Sequence, residues 1–422
     1  MLDVPFPSRS FFEEEYFMLS RPFHLLAAIV LIACALAACG QPSNSTQLPE
    51  PTTEATPEVA QATVAATATL APTHTPEPTS TPAPTETPEP TETATITPTP
   101  TPEPSPTPSE LTEAQLAEIK PNEMGWVPVL EYHIIEGPDD VYRRSPESLR
   151  ADLEWLYANG FYPIRMRDLT SGHIDVPAGR SPVVLTFDDS TIGQFRYLDD
   201  GTIDPDSAMG ILLAFAEEHP DFPPVANFFV LIEVSEPSHM LFGQPELAQR
   251  KLQEIVEWGG EVGSHTYTHN RLDHLDAEQI QWQLAMSSQV IEEHIGNGYE
   301  VVSLCLPLGA YPDDESLLRE GEAEGVSYHF TGALEVGGGP SHSPFSTEFD
   351  PYHVFRMQAI AGVFDYYFPF FEENPTVKFV SDGDPDTVTV PTEETLDDIQ
   401  RGRFDESKVG ERSVRRYERP RN

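Results

Sequence analysis

Short apolar runs alternate with amphipathic stretches of helical period through the body of the chain. Strands are predicted at 127–135, 161–164, 182–187, 225–231, 261–266, 301–306 and 326–331. The strongest of these are unbroken sets of apolar or β-branched residues between turn residues, as expected of strands buried on both faces. Helices are predicted between them. One spans 145–158, opening at Ser145-Pro146 and closing at Asn159-Gly160; another, 207–218, carries Ile211, Leu212 and Phe215 on one face. Three more cover 245–258, 276–295 and 314–324, the first two ended by glycines, and a short one precedes them at 110–120. Ser or Asp before the first turn, Pro within it and Gly after the last turn are the boundary signals used. Strand–helix alternation implies a parallel sheet or a closed β/α barrel, and this many units favours the barrel.

The pattern changes character upstream. Residues 25–38 are unbroken apolar, the length of a signal segment and short for a membrane span. Met18 is the expected start, because Arg21 and His24 then form a basic lead. The run ends in Leu36-Ala37-Ala38-Cys39-Gly40, which resembles a bacterial lipobox and implies lipidation of Cys39. An ordinary signal peptide cut after Ala38, or an uncleaved anchor, is the alternative. Residues 40–110 are Thr, Pro, Glu and Ala, with nothing to fill a core, and are expected to form a disordered, extended stalk. At about 3.1 Å per residue it would reach on the order of 200 Å. The chain thus divides into a signal segment (1–39), a linker (40–110), a folded domain (111–370) and a tail (371–422), acidic and then basic.

Composition narrows the partners. The 422 residues carry 24 Lys+Arg against 69 Asp+Glu, a formal net charge of -45. That argues against nucleic acid, whose binding needs a basic surface, and against an anionic membrane reached through a charged face. Contact with a membrane is expected only through a lipid anchor on the outer face of a bacterial membrane, with the protein a monomer. Of the three cysteines, Cys305 alone lies in the body, so cleavage before Cys39 leaves no intramolecular disulfide.

The candidate chemistry lies at strand ends. Pro182 to Ser190 reads Pro-Val-Val-Leu-Thr-Phe-Asp-Asp-Ser, a buried strand ending in two carboxylates. In parallel α/β folds ligands gather beyond the carboxyl ends of strands. One aspartate can hold a metal while its neighbour serves as base; a helix N-cap beside a surface acid is the bland alternative. His265 and His269 sit four residues apart at another strand end, a spacing that on a helical turn aims both imidazoles one way. Two imidazoles and one carboxylate make a three-ligand site with positions open for water and substrate.

These residues resemble the motifs of the NodB-like polysaccharide deacetylases, carbohydrate esterases that deacetylate amino sugars. The family's Thr-Phe-Asp-Asp-Gly is similar to Thr186-Phe187-Asp188-Asp189-Ser190, and its His-Ser/Thr-x-x-x-His to His265-Thr266-Tyr267-Thr268-His269. Its Pro-Val-Leu-x-Tyr-His and Pro-Ala-Thr-Phe-Phe-Val strands resemble 128–134 and 224–230. The resemblance covers 127–357 and implies a distorted (β/α) barrel of fewer than eight repeats. It implies a divalent metal, most often zinc, on Asp189, His265 and His269, with Asp188 as the base that deprotonates water. The third motif, Arg-x-Pro-Tyr-Gly, aligns with Cys305-Leu306-Pro307-Leu308-Gly309, making the Leu308 N–H the oxyanion donor. His133, Pro307 and Tyr311 would contact an acetylated polysaccharide. Cys305 replaces the arginine that orients the base in relatives, Leu308 replaces a tyrosine, and 199–206 looks inserted. The Leu-x-His that supplies the family's proton donor is missing; His133, His329, His342 and His353 are the substitutes on offer. A catalytically weak polysaccharide-binding lipoprotein and an O-acetyl xylan-type esterase therefore stand as alternatives. The aromatic cluster at 364–371 would either pack on the barrel or stack on sugar.

Overall fold

The computed structural model describes residues 111–392 and 402–419. The signal segment, Cys39 and the Thr/Pro stalk lie outside the described residues. These described residues belong to one compact unit. Among the described residues no helix is long and apolar enough to cross a membrane.

Among the described residues fourteen strands follow in chain order: β1 (Val129–Tyr132), β2 (Ile134–Ile135), β3 (Arg143–Arg144), β4 (Phe161–Pro163), β5 (Ser181–Phe187), β6 (Asn227–Val230) and β7 (Glu261–Ser264), then β8 (Ser303–Cys305), β9 (Glu320–Ala323), β10 (Val326–His329), β11 (Gly332–Gly338), β12 (Val354–Gln358), β13 (Thr387–Pro391) and β14 (Ser413–Tyr417). The main sheet runs β1-β12-β11-β8-β7-β6-β5 and closes because β1 also pairs with β5. All these pairings are parallel, and β4 adds to the start of β5. The result is a seven-stranded parallel barrel with flanking helices, the barrel of fewer than eight repeats expected from the sequence.

Alternation along each strand divides the side chains. Leu130, Leu185, Phe187, Phe228, Val262 and Leu304 share a core with Leu149, Leu153 and Leu156 of the helix Pro146–Ala158. Val129, Val184, Phe229, Cys305, Leu334 and Val354 belong to a second core. The period-2 rule then puts Glu131, Thr186, Asp188 and Arg356 on the same inward face as that second set. Gly263 is required here, since a Cβ would come within 2.6 Å of the Phe229 ring.

The helix ends follow their sequence signals. Ser145 and Ser207 cap their helices, and Asp276 with Gln279 forms a reciprocal capping box before Ala277–Ile295. Two expectations fail. Residues 314–324 are not a helix: a 3-10 turn, Glu315–Leu318, leads into the antiparallel hairpin β9–β10. Glu324 and Gly325, both at positive φ, make a two-residue turn between them, and Gly321 further weakens a helix. Residues 326–331 therefore supply β10 rather than a barrel strand, and β11 takes that place. Described residues of the tail also form a strand pair. β13 pairs with β14, the Tyr417 hydroxyl donates to the Pro121 carbonyl at 2.9 Å, and Val388, Val390 and Val409 join the second core. The aromatic cluster forms the helix Ala361–Glu373, with Phe364 and Phe371 buried and Phe368 stacked on Trp155 at 3.8 Å. Packing is its main use.

Candidate metal centre

The centre starts from a kink in the chain after β5. Asp188 follows the strand directly, and Asp189 and Ser190 then adopt left-handed φ of 72° and 43°. This reversal sends the neighbouring carboxylates to different partners. Serine carries a cost at such a φ that glycine would not. Its hydroxyl is well used, donating to the His239 carbonyl (2.8 Å) and accepting from Leu231 N–H (3.1 Å).

His265 follows β7 directly. His269 comes after a loop, not a helical turn, with Thr266 and His269 at φ of 67° and 58°. Gln283 from the helix Ala277–Ile295 holds that loop: its carbonyl oxygen accepts from Tyr267 N–H and Thr268 N–H, and its amide donates to Thr268 Oγ1. The two imidazole centroids stand 4.9 Å apart. His265 Nε2 and His269 Nε2 lie 3.3 and 3.4 Å from Asp189 Oδ1.

These atoms suit a small divalent cation. Asp189 Oδ1 is buried and has no hydrogen-bond partner. His265 Nδ1–H donates to the Cys305 carbonyl at 2.8 Å, which fixes the tautomer and leaves Nε2 free to coordinate. Burial pushes the His269 imidazole down to about 4, so it is neutral as a ligand must be. A tetrahedral ion with ligands at about 2.0–2.1 Å has a ligand–ligand edge of about 3.3 Å. Asp189, His265 and His269 thus form one of the clusters among the described residues that could hold a metal.

Asp188 has a different environment. Arg356, wholly buried on β12, places Nη1 2.9 Å from Asp188 Oδ1 and Nη2 2.8 Å from Oδ2. Burial alone would raise this carboxyl; Arg356, then His265 and His133, outweigh it and hold it at about 2. Asp188 is an ionised carboxylate beside the metal ligands. Cys305 Sγ donates to Asp188 Oδ2 at 3.2 Å, and burial pushes its thiol up to about 11, so it stays protonated. Cys305 is therefore both barrel lining and a donor to the base. Arg356 supplies the guanidinium that the third motif lacks. The signal for it was a single arginine in an otherwise apolar strand, a charge that must find a buried partner.

The other expected residues are less tightly gathered. His133 Nε2 lies 4.0 Å from Asp188 Oδ2 and 3.8 Å from Glu131 Oε1. Leu308 occupies the turn Pro307–Gly309 just after β8, with φ of 58° and an exposed side chain; Pro307 is buried. Tyr311 spends its hydroxyl on the Tyr352 carbonyl (2.8 Å) and its ring on His353 (4.4 Å). His353 is held between Glu315 and Glu335 at 3.0 and 2.9 Å, and His329 lies on the exposed hairpin. Of the substitute histidines, His133 is the one beside the base.

The family model described as polysaccharide deacetylase matches residues 175–324, which include both carboxylates and both histidines. The chain is 22% identical over 219 residues to the YxkH protein of Bacillus subtilis (strain 168), whose name carries the same family term; the match covers 51% of this chain and 67% of YxkH. Among solved structures, Bacillus anthracis BA0330 is 20% identical with a TM-score of 0.41, covering 55% of this chain and 64% of that one. BC0361, a polysaccharide deacetylase from Bacillus cereus, is 19% identical with a TM-score of 0.43, covering 58% and 69%. Two imidazoles and a carboxylate converge inside the matched span, beside a second ionised aspartate, and this span of the chain is similar to the polysaccharide deacetylases.

Proposed function

We propose that this domain removes acetyl groups from an N-acetylated amino-sugar polysaccharide. The observation that carries the reading is the convergence of His265 and His269 on the unpartnered oxygen of Asp189, next to an Asp188 held ionised by Arg356. Zinc suits this donor set, which leaves positions for water and substrate. Bound there, it would polarise the acetyl carbonyl and make water a nucleophile at neutral pH. Asp188 takes the proton from water as that oxygen attacks the carbonyl carbon. The Leu308 N–H, in the turn after β8, is the candidate donor to the developing oxyanion. His133, 4.0 Å from Asp188 Oδ2, is the candidate that protonates the leaving nitrogen.

Because Arg356 supplies a guanidinium to Asp188, Cys305 in the third motif is no reason to expect a silent site. Acetate release from N-acetylchito-oligosaccharides, with zinc added and then chelated, tests the reading. Asp188→Asn should lower turnover at least 10²-fold; unchanged release in that variant would end it. The same proposal puts the domain on a lipid-anchored stalk at the outer face of a bacterial membrane, supported by Leu36-Ala37-Ala38-Cys39 and the Thr/Pro run. Radiolabelled palmitate should enter the full chain and not its Cys39→Ala variant.

A further inference from the structure

Glu131 is a carboxylate inside the barrel that the reaction above does not use. It sits in β1, two residues before His133 and on the same face, with only 2% of its surface exposed. Its Oε2 accepts from Gly337 N–H at 3.2 Å and lies 3.6 Å from Arg356 Nε. Its Oε1 is inaccessible, has no hydrogen-bond partner, and lies 3.8 Å from His133 Nε2. A buried carboxylate oxygen left unsatisfied is costly, so it should have a use.

Its surroundings point to that use. Arg356 faces both Glu131 and Asp188. His133 Nε2 stands between these two carboxylates, 3.8 and 4.0 Å away. Glu131, His133 and Asp188 also bring their polar atoms into one close cluster. A cavity of about 10 Å³, lined by Glu131, His133, Tyr142, Arg144 and Ala359, adjoins them. That is about the room one water needs to bridge a gap of this length. The His133 backbone is already pinned, because its carbonyl accepts from Gln194 Nε2 at 2.6 Å. Its ring faces the edge of Tyr142, at 5.7 Å, and the two carboxylates.

We propose that Glu131 is a positioning residue that orients the His133 ring as proton donor. This rests on the acetamide hydrolysis proposed above. In that reaction Asp188 takes one proton from water and the hydroxyl oxygen bonds to the carbonyl carbon. The C–N bond then breaks, its electron pair staying on nitrogen, which takes the Nε2 proton of His133. Acetic acid and the free amine result, and the acid ionises by giving its proton to the amine. Asp188 hands its proton to His133, 4.0 Å away, restoring both groups. Glu131 acts only through His133.

The test uses the full chain with zinc added and two substrates. Penta-N-acetylchitopentaose has an amine leaving group that needs a proton; 4-nitrophenyl acetate has a phenolate that does not. Glu131→Gln, nearly isosteric, should lower kcat on the chitopentaose 10- to 100-fold with KM within about twofold. Its rate on the activated ester should fall less than about threefold. Glu131→Asp, which keeps the charge, should fall between wild type and Glu131→Gln on the acetamide and serves if the Gln variant does not fold. His133→Ala should show the same selective loss, and adding Glu131→Gln to it should cost little more. Proportional loss on both substrates, no loss on either, or additive losses would overturn the role of Glu131. Failure of the wild type to release acetate from the chitopentaose would instead overturn the hydrolase reading and this inference with it.

Discussion

Replacing Arg356 by methionine is the most informative single perturbation, because the guanidinium and Asp188 are both removed from water. Arg356 is wholly buried and Asp188 is 1% exposed, with guanidinium nitrogens 2.9 and 2.8 Å from the two carboxylate oxygens. Removing one partner of such a pair leaves an uncompensated buried charge, a loss of about 3–5 kcal/mol. Domains of this kind unfold with about 5–15 kcal/mol, so the variant should fold with a narrowed margin. The sign with pH follows from where Asp188 titrates. In the native protein its carboxyl is held at about 2, below the ordinary 3.8, so the pair's stabilisation is present above pH 4 and is lost as pH falls towards 2. Without Arg356, burial is opposed by the histidines and the Cys305 thiol alone among the groups described above, and the carboxyl rises, so the variant loses stability as pH rises. The gap between the two proteins should therefore be widest near pH 7 and narrow towards pH 3. Urea unfolding followed by tryptophan fluorescence, at pH 7 and pH 3.5, measures it. A loss below about 1 kcal/mol at pH 7, or an equal loss at both pH values, would refute the reasoning.

Three further outcomes are expected. Zinc at 100 times its dissociation constant should add about 2.7 kcal/mol to stability, and Asp189→Asn or His265→Ala should abolish the increment in thermal shift. Gln283→Ala removes the acceptor for Tyr267 and Thr268 N–H, and should weaken zinc binding 10- to 100-fold by calorimetry while costing about 1–3 kcal/mol in urea unfolding. Lys251, buried with its ammonium on the Phe242 carbonyl at 3.0 Å, is pushed by burial from 10.5 down to about 7. Between those values the unfolded chain holds the extra proton, so wild-type stability should rise with pH, by up to about 1.4 kcal/mol per unit, and Lys251→Met should lack that rise.

What could be read along the chain was whatever a few adjacent residues encode. Thr186-Phe187-Asp188-Asp189 declared a strand ending in carboxylates, and His265 with His269 declared a pair of donors. Ser145, Ser207 and Asp276 marked helix starts through the capping chemistry of their own first turns. Residues 314–324 misled because charged residues at helical spacing also suit a hairpin edge, and the turn at Glu324-Gly325 decided the matter. Residues 387–391 and 413–417 read as parts of a tail because neither strand is stable without the other.

Local residue order determined which groups carry the chemistry, since turns, caps and strand periods depend only on near neighbours. Tertiary structure decided what each group is able to do. Closing the parallel barrel laid β12 beside β1 and brought Arg356 onto a carboxylate 168 positions earlier in the chain. It also left Glu131 and His133 on one inward face with Asp188. No spacing rule links such residues, because the barrel's register and the charge balance of its interior bring them together only once it has closed.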